Sequence, residues 1–115
     1  EKGLNLLSAP GNDLVASTAL AASGAHIVLF TTGRGTPTGN AIAPVLKVTA
    51  NKRTYTHMED NMDVDLSGII DGTKTIEESG KMLLDEIVQV CNGKLTKAEA
   101  YGFSDIAVDH VCRFV

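Results

Sequence analysis

Two short apolar runs, Gly3 to Ala9 and His26 to Phe30, flank an alanine-rich stretch that carries its own start and stop signals. Asn12 or Asp13 can cap a helix there, because a side-chain oxygen accepts from the free N–H groups of a first turn. The helix is expected from about Asp13 to Ser23, with Gly24 as its left-handed stop. Its small residues Ala16, Ala19 and Ala22 would let it lie close to a sheet. His26 to Phe30 is apolar on both faces, as a buried parallel strand is. Strand, helix and strand in so few residues form one βαβ unit, which crosses over right-handed. That commits the chain to an α/β sandwich of layers and excludes an all-helical bundle.

The rest of the chain extends this pattern. A polar loop, Thr31 to Asn40, leads through Pro44 to a third strand, Val45 to Thr49. Ile69-Ile70 is read as a short strand, with Asp71-Gly72 as a turn. Thr75 to Glu78 forms a capping box, in which each side chain satisfies a free backbone donor of the other residue. The helix behind it places Ile76, Leu83, Leu84, Ile87, Val90 and Cys91 on one stripe and stops at Asn92-Gly93. A second capping box, Thr96 to Glu99, starts a short helix ended by Gly102, and Ile106 to Val108 is read as a last edge strand. The expected fold is therefore a single Rossmann-like three-layer α/β domain over residues 1–115, with a mostly parallel sheet of about four to five short strands. A chain of 115 residues holds one core and not two.

Charge narrows the function classes. Residues 1–57 carry a net +3 and residues 58–115 a net −7, for a total of −4. With no cluster of Lys and Arg interleaved with aromatics, nucleic acid is not an expected partner. No apolar run is long enough to span a membrane, and no signal peptide is visible. Cys91 and Cys112 form no CxxC pair and suit a reduced, cytoplasmic protein. The acidic half reads either as a solvated helix face or as a carboxylate-rich site opposite the glycine loop.

That loop, Thr31-Thr32-Gly33-Arg34-Gly35-Thr36-Pro37-Thr38-Gly39-Asn40, is the most informative stretch. Glycine lets backbone N–H groups approach an anion without a Cβ in the way. Arg34 can hold a carboxylate or phosphate through two parallel hydrogen bonds. Parallel sheets gather ligands at the carboxyl ends of their strands, where this loop falls. It is neither a Walker loop nor a dinucleotide fingerprint, because Asn40 and Thr38 stand where those motifs need other residues. Ser8 to Asp13 follows the first run in the same way and would open on the same rim. Gly33, Arg34, Gly35, Thr36 and Asn12 are therefore the expected substrate-binding residues, the alternative for each loop being a plain connection. Asp63 and Asp65 share one side of an extended chain and are the expected metal contacts, although the neighbouring residues do not fit a calcium loop. His26, His57 and His110 have no zinc-like spacing and are expected to be ordinary.

Read together, Ser8-Ala9-Pro10-Gly11-Asn12-Asp13, Phe30-Thr31-Thr32-Gly33-Arg34-Gly35-Thr36-Pro37, Pro44-Val45-Leu46-Lys47-Val48 with Asn51, and Met62-Asp63-Val64-Asp65 resemble a known pattern. It is that of the C-terminal part of the altronate/galactarate dehydratase family of sugar-acid dehydratases. Leu66-Ser67 departs from the Ala-Gly expected there. The resemblance implies a hydro-lyase that converts a hexonic or hexaric acid to a 2-keto-3-deoxy acid, with a divalent metal of the Fe(2+) type. It implies a small sugar-acid anion as ligand and a homo-oligomer, a dimer, as assembly. Alternatives are a related sulfolactate sulfo-lyase and a non-catalytic structural or assembly module of such an enzyme. Because family members are longer and the chain opens on Glu1, it is expected to be the closing domain of a longer enzyme, weak or inactive when isolated.

Overall fold

The structure, a computed structural model, describes residues 2–108. His110 and Cys112 therefore lie outside the described residues. The chain folds as mixed α/β. Helix α1 (Asp13–Ala22) leads to β1 (Val28–Thr31), followed by β2 (Val45–Thr49), α2 (Lys52–His57) and β3 (Val64–Asp65). Then come α3 (Gly68–Asp71), the long α4 (Ile76–Cys91) and the single turn α5 (Lys97–Ala100). The three strands make one parallel sheet in the order β1-β2-β3. Val28 pairs with Val45 and Thr31 with Val48, while Thr49 pairs with Asp65.

The central strand β2 is buried along its whole length. Side chains alternate across a strand, so Leu46 and Val48 turn to one face and Val45, Lys47 and Thr49 to the other. On the first face, Leu46, Val48, Val64 and Val90 form the core, with Ile27, Leu66, Met82, Leu83 and Ile87 packed around them. Here α4 is the covering layer, and each fully buried Val or Leu contributes about 1.5–3 kcal/mol. On the second face the cover comes in part from the loop after β1, which reaches Lys47.

Several expectations hold in detail. The strand Val45 to Thr49, both capping boxes and the Asn12 cap are present, with Asn12 Oδ1 accepting from the N–H groups of Leu14 and Val15. Others are corrected. Gly3 to Ala9 forms no strand: it is exposed, with Leu4 and Leu6 more than nine-tenths accessible, and it pairs with nothing in the sheet. The sheet has three strands among the described residues, and its first parallel connection is the loop 32–44 in place of a helix. A parallel crossover needs about a dozen residues, which that loop provides. Ile69 and Ile70 belong to α3, because Ile70 and Asp71 donate back to the Ser67 carbonyl and close a helical turn. Ile106 to Val108 forms no strand. The apolar stripe of α4 is narrower than expected, and Ile76, Leu84 and Cys91 face solvent.

Candidate functional site

The C-terminal ends of the three strands open on a groove of about 350 Å³ lined by Thr31, Thr32, Gly33, Val48, Ala50, Asn51 and Leu66. This is the place where a parallel sheet offers backbone groups and loops to a ligand. A second recess shares Ala50 and Asn51 with it and adds Lys52, Ser67, Ile70 and Asp71.

The loop that forms one wall is held from the opposite strand end. Asn51 caps α2 with Oδ1, which accepts from the N–H groups of Arg53 and Thr54. Its Nδ2 donates to the Gly33 carbonyl at 3.0 Å, and Thr54 Oγ1 donates to the same carbonyl at 2.6 Å. One side chain thus ends β2, starts α2 and fixes the loop after β1. Within the loop the N–H of Gly35 donates to Thr32 Oγ1 at 3.0 Å. Gly35 has φ +83°, a left-handed conformation that L side chains rarely adopt. A Cβ there would also run into the Met58 sulfur.

The loop divides into two functional halves. Thr31 to Arg34 lie at the surface around the groove. Thr36, Gly39 and Asn40 are buried. The Thr36 hydroxyl is bonded to that of Thr38 at 2.8 Å, and Asn40 Oδ1 accepts from the N–H groups of Ile42 and Ala43. Thr36, an expected substrate contact, is buried and is not among the residues that line the groove. Asn12 is a helix cap outside the groove lining. The expected shared rim required a strand at Gly3 to Ala9, which does not form. Gly33 lines the groove, and Arg34 and Gly35 follow it in the chain without being part of the lining. Arg34 is exposed, and its guanidinium has no hydrogen-bond or ion partner among the described residues. The same holds for the Arg53 guanidinium, on the first turn of α2.

Asp63 and Asp65, the expected metal contacts, are engaged with donors of the protein itself. Asp63 Oδ2 accepts the backbone N–H of Lys47 at 2.7 Å, and Oδ1 accepts that of Lys97 at 2.8 Å. Asp65 Oδ2 takes the Lys52 ammonium at 2.8 Å, and Oδ1 takes the N–H of Ser67 at 2.9 Å. Burial pushes the Asp65 carboxyl up, but the bonds from Lys52 and Ser67 outweigh it and hold the group below its ordinary value. The same bond raises Lys52. The Asp71 carboxyl is held low by the Thr73 hydroxyl and N–H. No group of three His, Cys, Asp or Glu side chains is gathered among the described residues. A divalent iron-type ion needs several free donors, so these residues do not by themselves fit one. His57 Nδ1 is bonded to the Arg53 carbonyl within its own helix, and His26 is exposed.

Lys47, Asn51 and Thr54 were not among the expected site residues. A signal existed for Lys47: a lysine inside the run Val45-Leu46-Lys47-Val48 must point into the protein once that run is a central strand. Asn51 and Thr54 carry only the ordinary look of a helix cap and a helical threonine.

Comparison with known proteins identifies the family. The family model described as D-galactarate/Altronate dehydratase, C-terminal, matches residues 1–113. The chain is 43% identical over 106 residues to altronate dehydratase of Escherichia coli (strain K12), covering 92% of this chain and 21% of that protein. It is 41% identical over 107 residues to altronate dehydratase of Bacillus subtilis (strain 168), covering 93% and 21%. It is 40% identical over 91 residues to the (2R)-sulfolactate sulfo-lyase subunit beta of Chromohalobacter salexigens, covering 79% and 23%. The chain thus spans about a fifth of the length of each of these relatives. No helix among the described residues is long and apolar enough to cross a membrane. With the family match running over nearly its whole length, the chain belongs to the D-galactarate/altronate dehydratase family and corresponds to its C-terminal domain.

Proposed function

We infer that this domain receives the carboxylate of a sugar acid at the carboxyl end of its sheet, as part of a hydro-lyase of the altronate or galactarate type. The observation that carries the reading is Arg34. It is exposed and unpaired among the described residues, on a loop whose carbonyl at Gly33 is tied down by Asn51 and Thr54. An arginine so placed offers a carboxylate two parallel charge-assisted hydrogen bonds. Arg53, unpaired among the described residues, adds a second cation beside the same anchor, and Leu66 supplies an apolar wall.

The reaction removes the proton α to the carboxylate and expels the β-hydroxyl as water, and the enol tautomerises to a 2-keto-3-deoxy acid. The enolate-like intermediate is stabilised by cations facing the carboxylate. Among the described residues the groove lining offers Thr31, Thr32 and Asn51 as polar side chains that can bind and orient the substrate. The share assigned to these residues and Arg34 is substrate capture and charge stabilisation.

The test is Arg34→Ala in the full protein, assayed for dehydration of altronate and galactarate. A charge-assisted hydrogen bond contributes about 1.5–3 kcal/mol, so kcat/KM is expected to fall about tenfold or more, with Arg34→Lys intermediate. An unchanged kcat/KM removes Arg34 from the site. The likeness to a sulfolactate sulfo-lyase subunit supports a second reading, in which sulfite leaves in place of water. Release of sulfite from sulfolactate by the same preparation distinguishes the two.

A further inference from the structure

Lys47 is the largest fully buried side chain among the described residues, at 0% exposure in the middle of the central strand. Burying an ammonium is costly, and an apolar residue of the same size fills such a space without that cost. What Lys47 adds is a pair of directed donors. Its Nζ donates to the carbonyls of Pro37 at 3.2 Å and Thr38 at 3.3 Å. It reaches across from β2 to the backbone of the same loop that carries Arg34, three and four residues further along. The other end of the strut is equally fixed, since the backbone N–H of Lys47 is clamped by Asp63. Gly39, next along the loop, lies directly beneath the Phe103 carbonyl, where a Cβ has no room.

We propose that Lys47 is a positioning residue for the anion-binding loop: its buried ammonium fixes the Pro37 and Thr38 carbonyls and so sets the conformation in which Arg34 is presented. This rests on the reading that the loop receives the sugar-acid carboxylate. Bonds inside the loop of residues 32–44 shape its turns: Thr32 to Gly35, Thr36 to Thr38, and Asn40 to Ile42 and Ala43. Side chains from outside tie it to the sheet at two places: Asn51 with Thr54 on the Gly33 carbonyl, and Lys47 on the Pro37 and Thr38 carbonyls. Removing the second unties the Thr36–Thr38 turn from β2 and loosens the segment that carries Arg34. Burial also pulls the Lys47 ammonium below its ordinary value, against the opposing pull of Asp63.

The experiment compares Lys47→Met with the unaltered full protein, with Arg34→Ala as a separate arm. Methionine fills the space but donates nothing. The expected result is an unchanged or higher thermal midpoint, a KM for altronate raised about tenfold, as loss of one charged hydrogen bond would give, and a smaller change in kcat. Trypsin, which cuts after Arg34, should cleave the loop faster in Lys47→Met. If KM and cleavage are both unchanged, Lys47 is only a core filler and the proposal is overturned. If Arg34→Ala leaves KM unchanged while Lys47→Met still speeds cleavage, the strut stands and the carboxylate reading fails. If Arg34→Ala raises KM and Lys47→Met moves neither readout, the carboxylate reading stands and the strut fails. Should Lys47→Met not fold, hydrogen exchange of the unaltered protein decides: the amides of Thr36, Thr38, Gly39 and Asn40 are expected to exchange nearly as slowly as those of β2. Exchange at the rate of an open surface loop overturns the proposal.

Discussion

Asp63 holds the backbone N–H of Lys47 at 2.7 Å with one carboxylate oxygen and that of Lys97 at 2.8 Å with the other. A single side chain at the entry to β3 thereby joins the central strand to the start of α5. Both N–H groups are partly buried, and a buried donor left without an acceptor costs about 1–3 kcal/mol. Asp63→Ala is therefore expected to destabilise the protein by about 2–4 kcal/mol in urea unfolding. Asp63→Asn keeps an oxygen for one donor and turns an amide toward the other, so it should fall between. A metal ligand would behave differently: its loss would be felt in metal content at little cost to the apo fold. If Asp63→Ala unfolds at the wild-type urea midpoint, the clamp carries no stability.

The anchor on the other side of the groove gives a second prediction. Asn51 caps α2 and also holds the Gly33 carbonyl. Asn51→Asp keeps the capping oxygen but cannot donate to that carbonyl, whereas Asn51→Ala loses both functions. Loss of a cap costs about 0.5–2 kcal/mol, so only Asn51→Ala should lower the thermal midpoint clearly. Both should raise KM for the sugar acid, because both leave Thr54 as the sole side chain of that pair on the Gly33 carbonyl and so loosen the segment that carries Arg34. Equal KM values for wild type and Asn51→Asp would show that the Gly33 bond does not govern binding.

These two anchors also show what the amino-acid order could reveal and what it could not. The strand Val45 to Thr49 and the capping boxes at Thr75 and Thr96 are local: side chains three residues apart satisfy one another, and an apolar run announces its own burial. Arg34 and its glycines were legible for the same reason, since a glycine-rich turn after a strand is a local feature. The contacts of Asp63 span 16 and 34 positions along the chain. Nothing near Asp63 distinguishes a carboxylate that binds a metal from one that binds two backbone N–H groups. The run Gly3 to Ala9 failed in the opposite sense. Its leucines announce burial but not against what, and within this domain they remain exposed. The loop 32–44 was legible as a glycine-rich connection after a strand, but the lysine thirteen residues after Arg34 that ties Pro37 and Thr38 to the central strand was not.

The Lys52–Asp65 pair predicts a particular acid limb. The Asp65 carboxyl sits below its ordinary value in the folded protein, despite the opposing effect of burial. An unfolded aspartate titrates at about pH 4. The unfolded state thus takes up a proton at a pH where the folded state still refuses it. The stability from Asp65 is fully present above about pH 4 and is lost as pH falls through the lower folded value. Urea unfolding of Asp65→Asn should therefore show a shallower loss of stability below about pH 4 than wild type. Lys52→Met should flatten the same limb, although less, since Ser67 still donates to the carboxylate. Parallel pH profiles for wild type and Asp65→Asn would show that the group is not perturbed in solution.

The sharpest steric prediction concerns Gly35. Its φ of +83° is open to glycine at little cost, and its Cα faces the Met58 sulfur and Thr54 Cγ2. Gly35→Ala brings two penalties: a left-handed backbone for an L residue, about 1–2 kcal/mol, and a methyl group where Met58 already sits. Met58 is flexible and can retreat, so the fold should survive with a lower thermal midpoint. The Gly35 N–H is the donor to Thr32 Oγ1, and Thr32 lines the groove. Any shift at Gly35 is therefore transmitted to the wall beside Arg34, and sugar-acid binding should weaken together with stability. Gly35→Ala combined with Met58→Ala separates the two penalties. If the double variant regains part of the lost stability and binding, the clash is the larger cause. If it regains neither, backbone conformation alone sets the cost, and glycine is required there for its φ and not for the space.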